Sequence, residues 1–134
     1  MSSFGASAVI FDGAGRVLLV RDRHEGREHF VPPGGTVEAD ESPREGAERE
    51  VLEECGVVAQ AGPLVGVYWS RADRWLSFGF LAAIQSGAPV AQAGEGILAL
   101  GWFDPENLPT PTPTIASALI ADAVAGKRGV YREI

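Results

Sequence analysis

The chain has 134 residues, of which 46% are hydrophobic and 22% charged, and its formal net charge at pH 7 is -7. This length fits one domain, residues 1–134, and the composition is typical of a globular protein rather than a disordered one. The negative charge opposes nonspecific binding to a nucleic-acid backbone or an anionic membrane, because like charges repel. With Cys55 as the only cysteine, no basic leader and no long apolar run, we expect a cytoplasmic protein without an internal disulfide or a membrane partner.

Two β-rich runs, ASAVIFD and RVLLVRD, open the chain, and the GAG between them supplies the backbone freedom of a tight turn. Residues 6–22 are therefore predicted to form a β-hairpin. The following HFVPPGG indicates a short extended piece that ends in a shaped loop, because Pro32 and Pro33 stop a strand and the two glycines allow unusual backbone angles.

A helix is predicted from about Pro43 to Cys55. Ser42 is a good N-cap, and Glu45 completes an S-x-x-E capping box with it. Gly56 stands where a left-handed residue is expected after the last helical turn. Local signals thus mark both ends of this helix.

Three strand candidates follow the helix: GPLVGVYWS, WLSFGFLAAI and ILALGWFD. A proline-punctuated connector then leads to an amphipathic helix, TIASALIADAVAG, which is ended by Gly126. This order of elements predicts an α/β (α+β) fold in which helices pack on the faces of a mixed β-sheet, rather than a regular βαβ winding.

Residues 34–57 contain eight acidic side chains and only two arginines. On the predicted helix, Glu50, Glu53 and Glu54 share one face. An apolar stripe beside that face would pack on the sheet: Ala47, Val51 and Cys55. Gly46 falls inside the acidic arc, where the missing side chain is expected to leave room for an ion or a ligand.

A solvated charged helix, in which Arg49 pairs with Glu45 and Glu53 and Arg44 pairs with Glu48, is the alternative interpretation. It leaves the like charges of Glu50 and Glu54 opposed by nothing. A hard divalent cation such as Mg²⁺ would remove this conflict, because it prefers carboxylate oxygens and also accepts phosphate oxygens as ligands.

From Gly35 to Val57 the sequence reads GTVEADESPREGAEREVLEECGV. This segment resembles the box of the Nudix hydrolases, G-x5-E-x7-R-E-U-x-E-E-x-G-U with U a bulky aliphatic residue, and it matches the box at every fixed position. The resemblance extends to a hairpin before the box and to the segment GWFDPENLP after it. It implies a Nudix-type α/β/α sandwich.

Nudix hydrolases cleave a diphosphate linked to a nucleoside and require Mg²⁺ or Mn²⁺. The resemblance implies that Glu50, Glu53 and Glu54 bind the metal, with the carbonyl group of Gly35 as a further ligand. Glu95 precedes the strand containing WF, the customary place of a later metal ligand or general base in this family.

Arg49 and Glu41 are implied to form an ion pair that ties the loop to the helix. The general base stays open between a glutamate of the box and the later Glu95. The catalytic set expected from the resemblance is therefore Glu41, Arg49, Glu50, Glu53 and Glu95.

Substrate recognition is less specified, because the markers of the ADP-ribose and NADH subfamilies are absent after the box. Arg71, Arg74 and Trp75 are candidates to hold phosphate and stack a base, and Arg21 and Arg23 are candidates at the end of the hairpin. Three further aromatic residues alternate along strands and are predicted to lie in the core: Trp69, Phe78 and Phe80.

The function predicted from the resemblance is metal-dependent hydrolysis, by water attack on phosphorus, of a free nucleotide such as a dNTP, a nucleotide sugar or ADP-ribose. The alternative is a Nudix module that senses a nucleotide without cleaving it. The expected partner is this small nucleoside diphosphate derivative and not a nucleic acid, and a homodimer stays open.

Overall fold

The computed structural model describes residues 4–134, apart from the side chain of His24. Its strands are β1 (Phe4–Val9), β2 (Val17–His24), β3 (Arg27–Val31), β4 (Gly34–Thr36), β5 (Ala59–Ser70), β6 (Trp75–Ile84), β7 (Ile97–Phe103) and β8 (Val130–Glu133). The helices are α1 (Pro43–Cys55) and α2 (Thr114–Val124), with a short 3₁₀ turn at Ala93–Glu95. No helix in the described part of the chain is long and apolar enough to cross a membrane.

The strands form two sheets, one in the order β4-β1-β6-β5-β8 and one in the order β3-β2-β7. The larger sheet is mixed, because β1 pairs with β6 and β5 with β8 in parallel while its other pairs are antiparallel. Strand β1 is covered on both faces of this sheet: Ala8 packs in a cluster with residues of α1, and Val9 packs in a cluster with residues of α2. The α/β/α sandwich with a mixed sheet is thereby confirmed.

The predicted hairpin over residues 6–22 is only partly correct. Its turn forms, with Leu18 N donating to Ile10 O at 2.9 Å and a single bridge between Phe11 and Val17. Beyond that bridge β1 and β2 separate into different sheets. The reason is long-range pairing, because β1 pairs with β6 and β4 while β2 pairs with β7 and β3.

Helix α1 begins and ends as predicted. Ser42 and Glu45 form both hydrogen bonds of the capping box, and Gly56 adopts a left-handed conformation with φ of 70°. The stripe of Ala47, Val51 and Cys55 is fully buried. Capping therefore sets the two ends of the helix, and burial of this stripe holds the helix against the larger sheet.

The C-terminal strand β8 is absent from the sequence prediction. Arg132 in β8 donates from Nε and Nη2 to the carboxylate of Asp122 in α2, at 2.7 Å in each case. The hydroxyl of Tyr68 in β5 donates to the same carboxylate at 2.9 Å. This buried carboxylate joins β5, α2 and β8, and so depends on residues far apart in the sequence.

Candidate active site

The segment before α1, residues 34–42, includes β4 and is called the loop below. Close backbone contacts hold it against the helix carboxylates. Strand β4 pairs with β1 so that Gly34 lies opposite Ser7 and Gly35 opposite Ala6. The amide of Gly34 donates to Glu54 Oε1 at 3.1 Å. A Cβ atom on Gly34 would stand 2.6 Å from the carbonyl oxygen of Ala6, and one on Gly35 would collide with the carboxylate of Glu50. Only glycine permits this approach at both positions.

Arg49 links the loop to the helix through several carboxylates. Its Nη2 donates to Glu41 Oε1 at 2.8 Å and to the carbonyl oxygen of Thr36 at 3.1 Å. Its Nη1 donates to Glu50 Oε1 at 2.6 Å and to Glu53 Oε1 at 2.8 Å. The hydrogen bond to Glu41, followed by those of Glu50, holds the pKa of Arg49 above its usual range. The guanidinium is therefore permanently charged and fixed between loop and helix.

Glu50 and Glu54 form the desolvated part of the acidic face. Burial, followed by the charge of Glu50, raises the pKa of Glu54 to about 9, and burial also raises the pKa of Glu50. The charge of Asp22 in β2 acts on Glu54 in the same direction. A site that desolvates several carboxylates together favours a bound cation.

The donor chemistry fits a hard divalent metal ion. Glu50, Glu53 and Glu54 lie on one face of α1, with the carboxylate of Glu50 beside the backbone of Gly35, and carboxylate oxygens are the preferred ligands of Mg²⁺. Within residues 4–134, no three His, Cys, Asp or Glu side chains already surround one metal position. Arg49 Nη1 bridges Glu50 Oε1 and Glu53 Oε1, at 2.6 and 2.8 Å, which leaves Glu53 Oε2 outside this contact.

Gly46 serves a different purpose from the one expected. A Cβ atom at this position would stand 3.0 Å from Glu41 Oε1 and 3.2 Å from Val37 Cγ2. The prediction of room for an ion or a ligand is therefore wrong, because the loop that carries Val37 and Glu41 fills this space.

Two charged side chains of α1, Arg44 and Glu48, contact β5 and β6 rather than each other. Arg44 lies 4.8 Å from the ring centre of Phe80 and donates to the carbonyl oxygens of Ala61 and Gly62. Glu48 accepts a hydrogen bond from the amide of Ala61 at 2.8 Å. These contacts replace the expected pair of Arg44 with Glu48 and weigh against a simple solvated charged helix.

Glu95 lies in the exposed 3₁₀ turn, close in sequence to a segment that contacts the end of α1. Gln92 N donates to the carbonyl oxygen of Glu54 at 3.1 Å, and Val90 N donates to that of Cys55 at 2.8 Å. No described contact joins the Glu95 carboxylate to Glu50, Glu53 or Glu54. Its role as a metal ligand or base stays a prediction.

A cavity of about 530 Å³ opens beside the loop, between β1, the turn joining β5 to β6, and the start of α2. Gly34 and Gly35 form part of its wall, as does Trp75. The indole of Trp75 lies against Gly5, where a Cβ atom would stand 2.8 Å from Trp75 Cζ2 and 3.0 Å from the carbonyl oxygen of Gly35. The loop thus forms part of the cavity wall and also contacts the carboxylates of α1.

The four candidate arginines lie outside this cavity. Arg21 and Arg23 pair with Glu28 across β2 and β3, at 3.5 and 2.9 Å. Arg71 is exposed and lies 3.7 Å from Glu133. Arg74 lies over the ring of Trp69, 5.7 Å from its centre. Their role in holding substrate stays a prediction.

Of the three aromatic residues predicted to lie in the core, Phe80 is buried in a hydrophobic cluster and Phe78 packs against this cluster. Trp69 is half-buried. The sequence interpretation missed Ser70, Asp73 and Ser77, which line the cavity. Asp73 and Ser70 belong to one turn, and their S-x-x-D spacing was the available signal.

Comparison with known proteins places this geometry in a family. The profile of the NUDIX domain matches residues 1–123. A MutT-like protein of Streptomyces ambofaciens is 27% identical over 126 residues, 94% of this chain and 79% of its own length. The 8-oxo-dGDP phosphatase NUDT18 of Danio rerio is 33% identical over 122 residues, 89% of this chain, and this chain spans only 36% of that protein.

Among solved structures, a NUDIX hydrolase from Nitrosomonas europaea superimposes with a TM-score of 0.79 at 29% identity, covering 96% of this chain and 93% of that one. The chain belongs to the Nudix hydrolase family.

Proposed function

We propose that the protein hydrolyses the diphosphate linkage of a nucleoside diphosphate derivative. The observation that supports this most is the shared wall formed by Gly34 and Gly35. Both glycines line the 530 Å³ cavity, and they also contact Glu54 and Glu50. Because β4 is the edge strand of the larger sheet, a nucleoside in the cavity would extend its phosphates past this edge toward the carboxylates.

The cavity suits the nucleoside part of such a substrate. Its volume lies within the range of small-molecule sites, and its wall is mostly apolar with a few hydroxyl groups. Trp75 offers an aromatic face on which a base can stack. The size of the cavity favours a free nucleotide over a nucleic-acid strand.

Glu50, Glu53 and Glu54, with the carbonyl group of Gly35, would hold Mg²⁺ or Mn²⁺. When bound, the cation supplies neutralisation of the diphosphate and a lowered pKa for the attacking water. Arg49 orients this face, because it binds Glu41 on the loop side and Glu50 on the helix side. A glutamate of the box or Glu95 would accept the proton from the water that attacks phosphorus.

A panel of dNTPs, nucleotide sugars, ADP-ribose and dinucleoside polyphosphates tests the proposal. We expect release of a nucleoside monophosphate that requires Mg²⁺ or Mn²⁺ and stops with a chelator. In ¹⁸O-labelled water, one phosphorus-containing product should carry the label, because water attacks phosphorus. Binding of nucleotides without turnover on any member of the panel would instead favour a sensing module.

A further inference from the structure

The first turn of helix α2 lines the cavity and has no side-chain cap. The N-cap residue is Pro113, whose side chain carries no acceptor. The first helical hydrogen bond runs from the amide of Ser117 to the carbonyl oxygen of Pro113. The amides of residues 114–116 have no acceptor among the described residues, and all three residues line the cavity. Three N–H donors and the positive end of the helix dipole therefore stand at this end of the cavity.

Ser77 in β6 adds a hydroxyl group to the same cavity. The residue is only 9% exposed and lines the cavity wall. No hydrogen bond within residues 4–134 involves its side chain. Buried hydroxyl groups in proteins are normally hydrogen-bonded. The hydroxyl group of Ser77 therefore indicates that a ligand in the cavity supplies its partner.

Ser77 is also a neighbour of the indole of Trp75. Side chains two residues apart in a strand point to the same face, and a Cβ atom on Gly79 would collide with the side chain of Leu119 in α2. Trp75 and Ser77 therefore face the side of the sheet that α2 covers. The indole lies against Gly5, and Gly5 is the residue of β1 opposite Ser77. A ring stacked on this indole thus has its edge beside Ser77.

The polar groups at this end of the cavity favour a neutral acceptor over an anion. Backbone amides only donate, and a hydroxyl group can turn to donate with them. No Lys, Arg or His is among the described residues that line the cavity, and Asp73 is part of its wall. An anion would lose its hydration here without gaining a counter-charge, whereas a carbonyl oxygen requires only donors.

We propose that the amides at the start of α2 and the hydroxyl group of Ser77 bind a carbonyl oxygen at the edge of the base that stacks on Trp75. The cavity then selects keto bases such as uracil and hypoxanthine over cytosine and adenine, which carry an amino group at the equivalent position. An amino group there would place N–H donors against N–H donors and leave both unpaired. This inference rests on the proposed function, because it uses the same cavity for the nucleoside.

Calorimetric titration with UMP, CMP, IMP and AMP in the presence of Mg²⁺ tests the assignment without requiring turnover. UMP differs from CMP, and IMP from AMP, only in the exocyclic group and in the proton of the adjacent ring nitrogen. We expect the wild-type protein to bind UMP about tenfold more tightly than CMP, and IMP about tenfold more tightly than AMP, since buried donors that lose their acceptor weaken binding by about this factor.

Ser77→Ala should lower both preferences by about threefold or more, because it removes one of the donors. Ser86→Ala is the control, because Ser86 is exposed and lies outside this cavity. It should keep the wild-type preferences. Circular dichroism shows whether each variant is folded.

A pair of variants at Thr114 tests the helix amides independently of Ser77. Thr114→Pro removes the amide at the first helical position, where proline is favoured. Thr114→Ala also loses the side chain but keeps this amide. The preference for UMP over CMP should be lower in the proline variant than in the alanine variant, by about threefold or more.

Equal wild-type affinities within both nucleotide pairs would overturn the assignment, because the start of α2 would then hold a phosphate oxygen rather than the base. Wild-type preferences in folded Ser77→Ala together with equal preferences in the two Thr114 variants would overturn it as well. Release of nucleoside monophosphate from the substrate panel is scored separately. A protein that prefers keto bases but cleaves nothing contradicts the proposed hydrolysis alone, and one that binds and cleaves keto and amino substrates equally contradicts the keto selection alone.

Discussion

The backbone of Gly35 lies directly against the carboxylate of Glu50, so that a Cβ atom on Gly35 would stand only 2.8 Å from the carboxyl carbon of Glu50. The adjacent Gly34 donates its amide to Glu54 at 3.1 Å. Loop and helix are thus packed without a gap. The position of this loop therefore determines where both carboxylates point.

Gly35→Ala should reduce kcat by about 100-fold, because displacing a catalytic group by an ångström has an effect of this size. The added methyl group must push the carboxylate of Glu50 away from the loop. Turnover of the best panel substrate and thermal unfolding should be measured together. Gly13→Ala is the control, since no atom lies within 4 Å of its added Cβ. Wild-type turnover in Gly35→Ala would show that the contact with Glu50 is unimportant.

Local signals were sufficient to predict α1, because Ser42, Glu45 and Gly56 each act within a few residues of the helix ends. The sequence pattern also marked the carboxylates that face the loop. The features that the sequence did not predict involve residues far apart in the chain. Strand β8 contacts α2 through the hydrogen bond from Arg132 to Asp122, and the space beside Gly46 is filled by the side chain of Glu41. The cavity lies between the turn after β5 and the start of α2. No local sequence pattern predicts that these two segments are neighbours.

Glu54→Gln should lower turnover by roughly 100-fold or more, because it removes a charge from the proposed cation site. Without metal, the variant should be more stable than the wild type by roughly 0.5–1 kcal/mol, since a carboxylate is no longer buried beside Glu50. Glutamine keeps an oxygen for the amide of Gly34. Urea unfolding in a chelator measures this change, with the exposed Glu106→Gln as control. Full activity at saturating Mg²⁺ would exclude Glu54 from the site.

Asp122 should make stability depend on pH in the acidic range. The hydrogen bond from Arg132, followed by that from Tyr68, lowers its pKa below the usual 3.8 in the folded protein. The carboxylate therefore binds a proton more readily in the unfolded chain than in the folded protein. Its contribution to stability is complete at pH values above the unfolded pKa of 3.8, and it is lost as the pH falls through the lower pKa of the folded protein.

Asp122→Asn should lower the free energy of unfolding by about 1–3 kcal/mol at pH 7, because it weakens a buried network with a charged partner. The difference from the wild type should narrow as the pH falls below about 4, because both proteins then lack the charge of this carboxylate in an increasing fraction of molecules. Urea unfolding across this range measures it, and Asp104→Asn should change stability by less than about 0.5 kcal/mol. A difference that stays constant down to pH 2 would contradict the assigned cause.

Arg49→Lys should lower kcat by one or more orders of magnitude while changing metal affinity much less. Arg49 uses three nitrogen atoms at once, with Nε and Nη2 on Glu41 and Nη1 on Glu50 and Glu53. A lysine ammonium is a single point charge and cannot contact all of these groups at once. The loop and the helix carboxylates are then no longer held in a fixed position relative to each other. Measuring kcat and Mn²⁺ binding on the same preparation separates orientation from coordination. If Mn²⁺ affinity falls as far as kcat, or if kcat is unchanged, Arg49 does not act as an orienting residue.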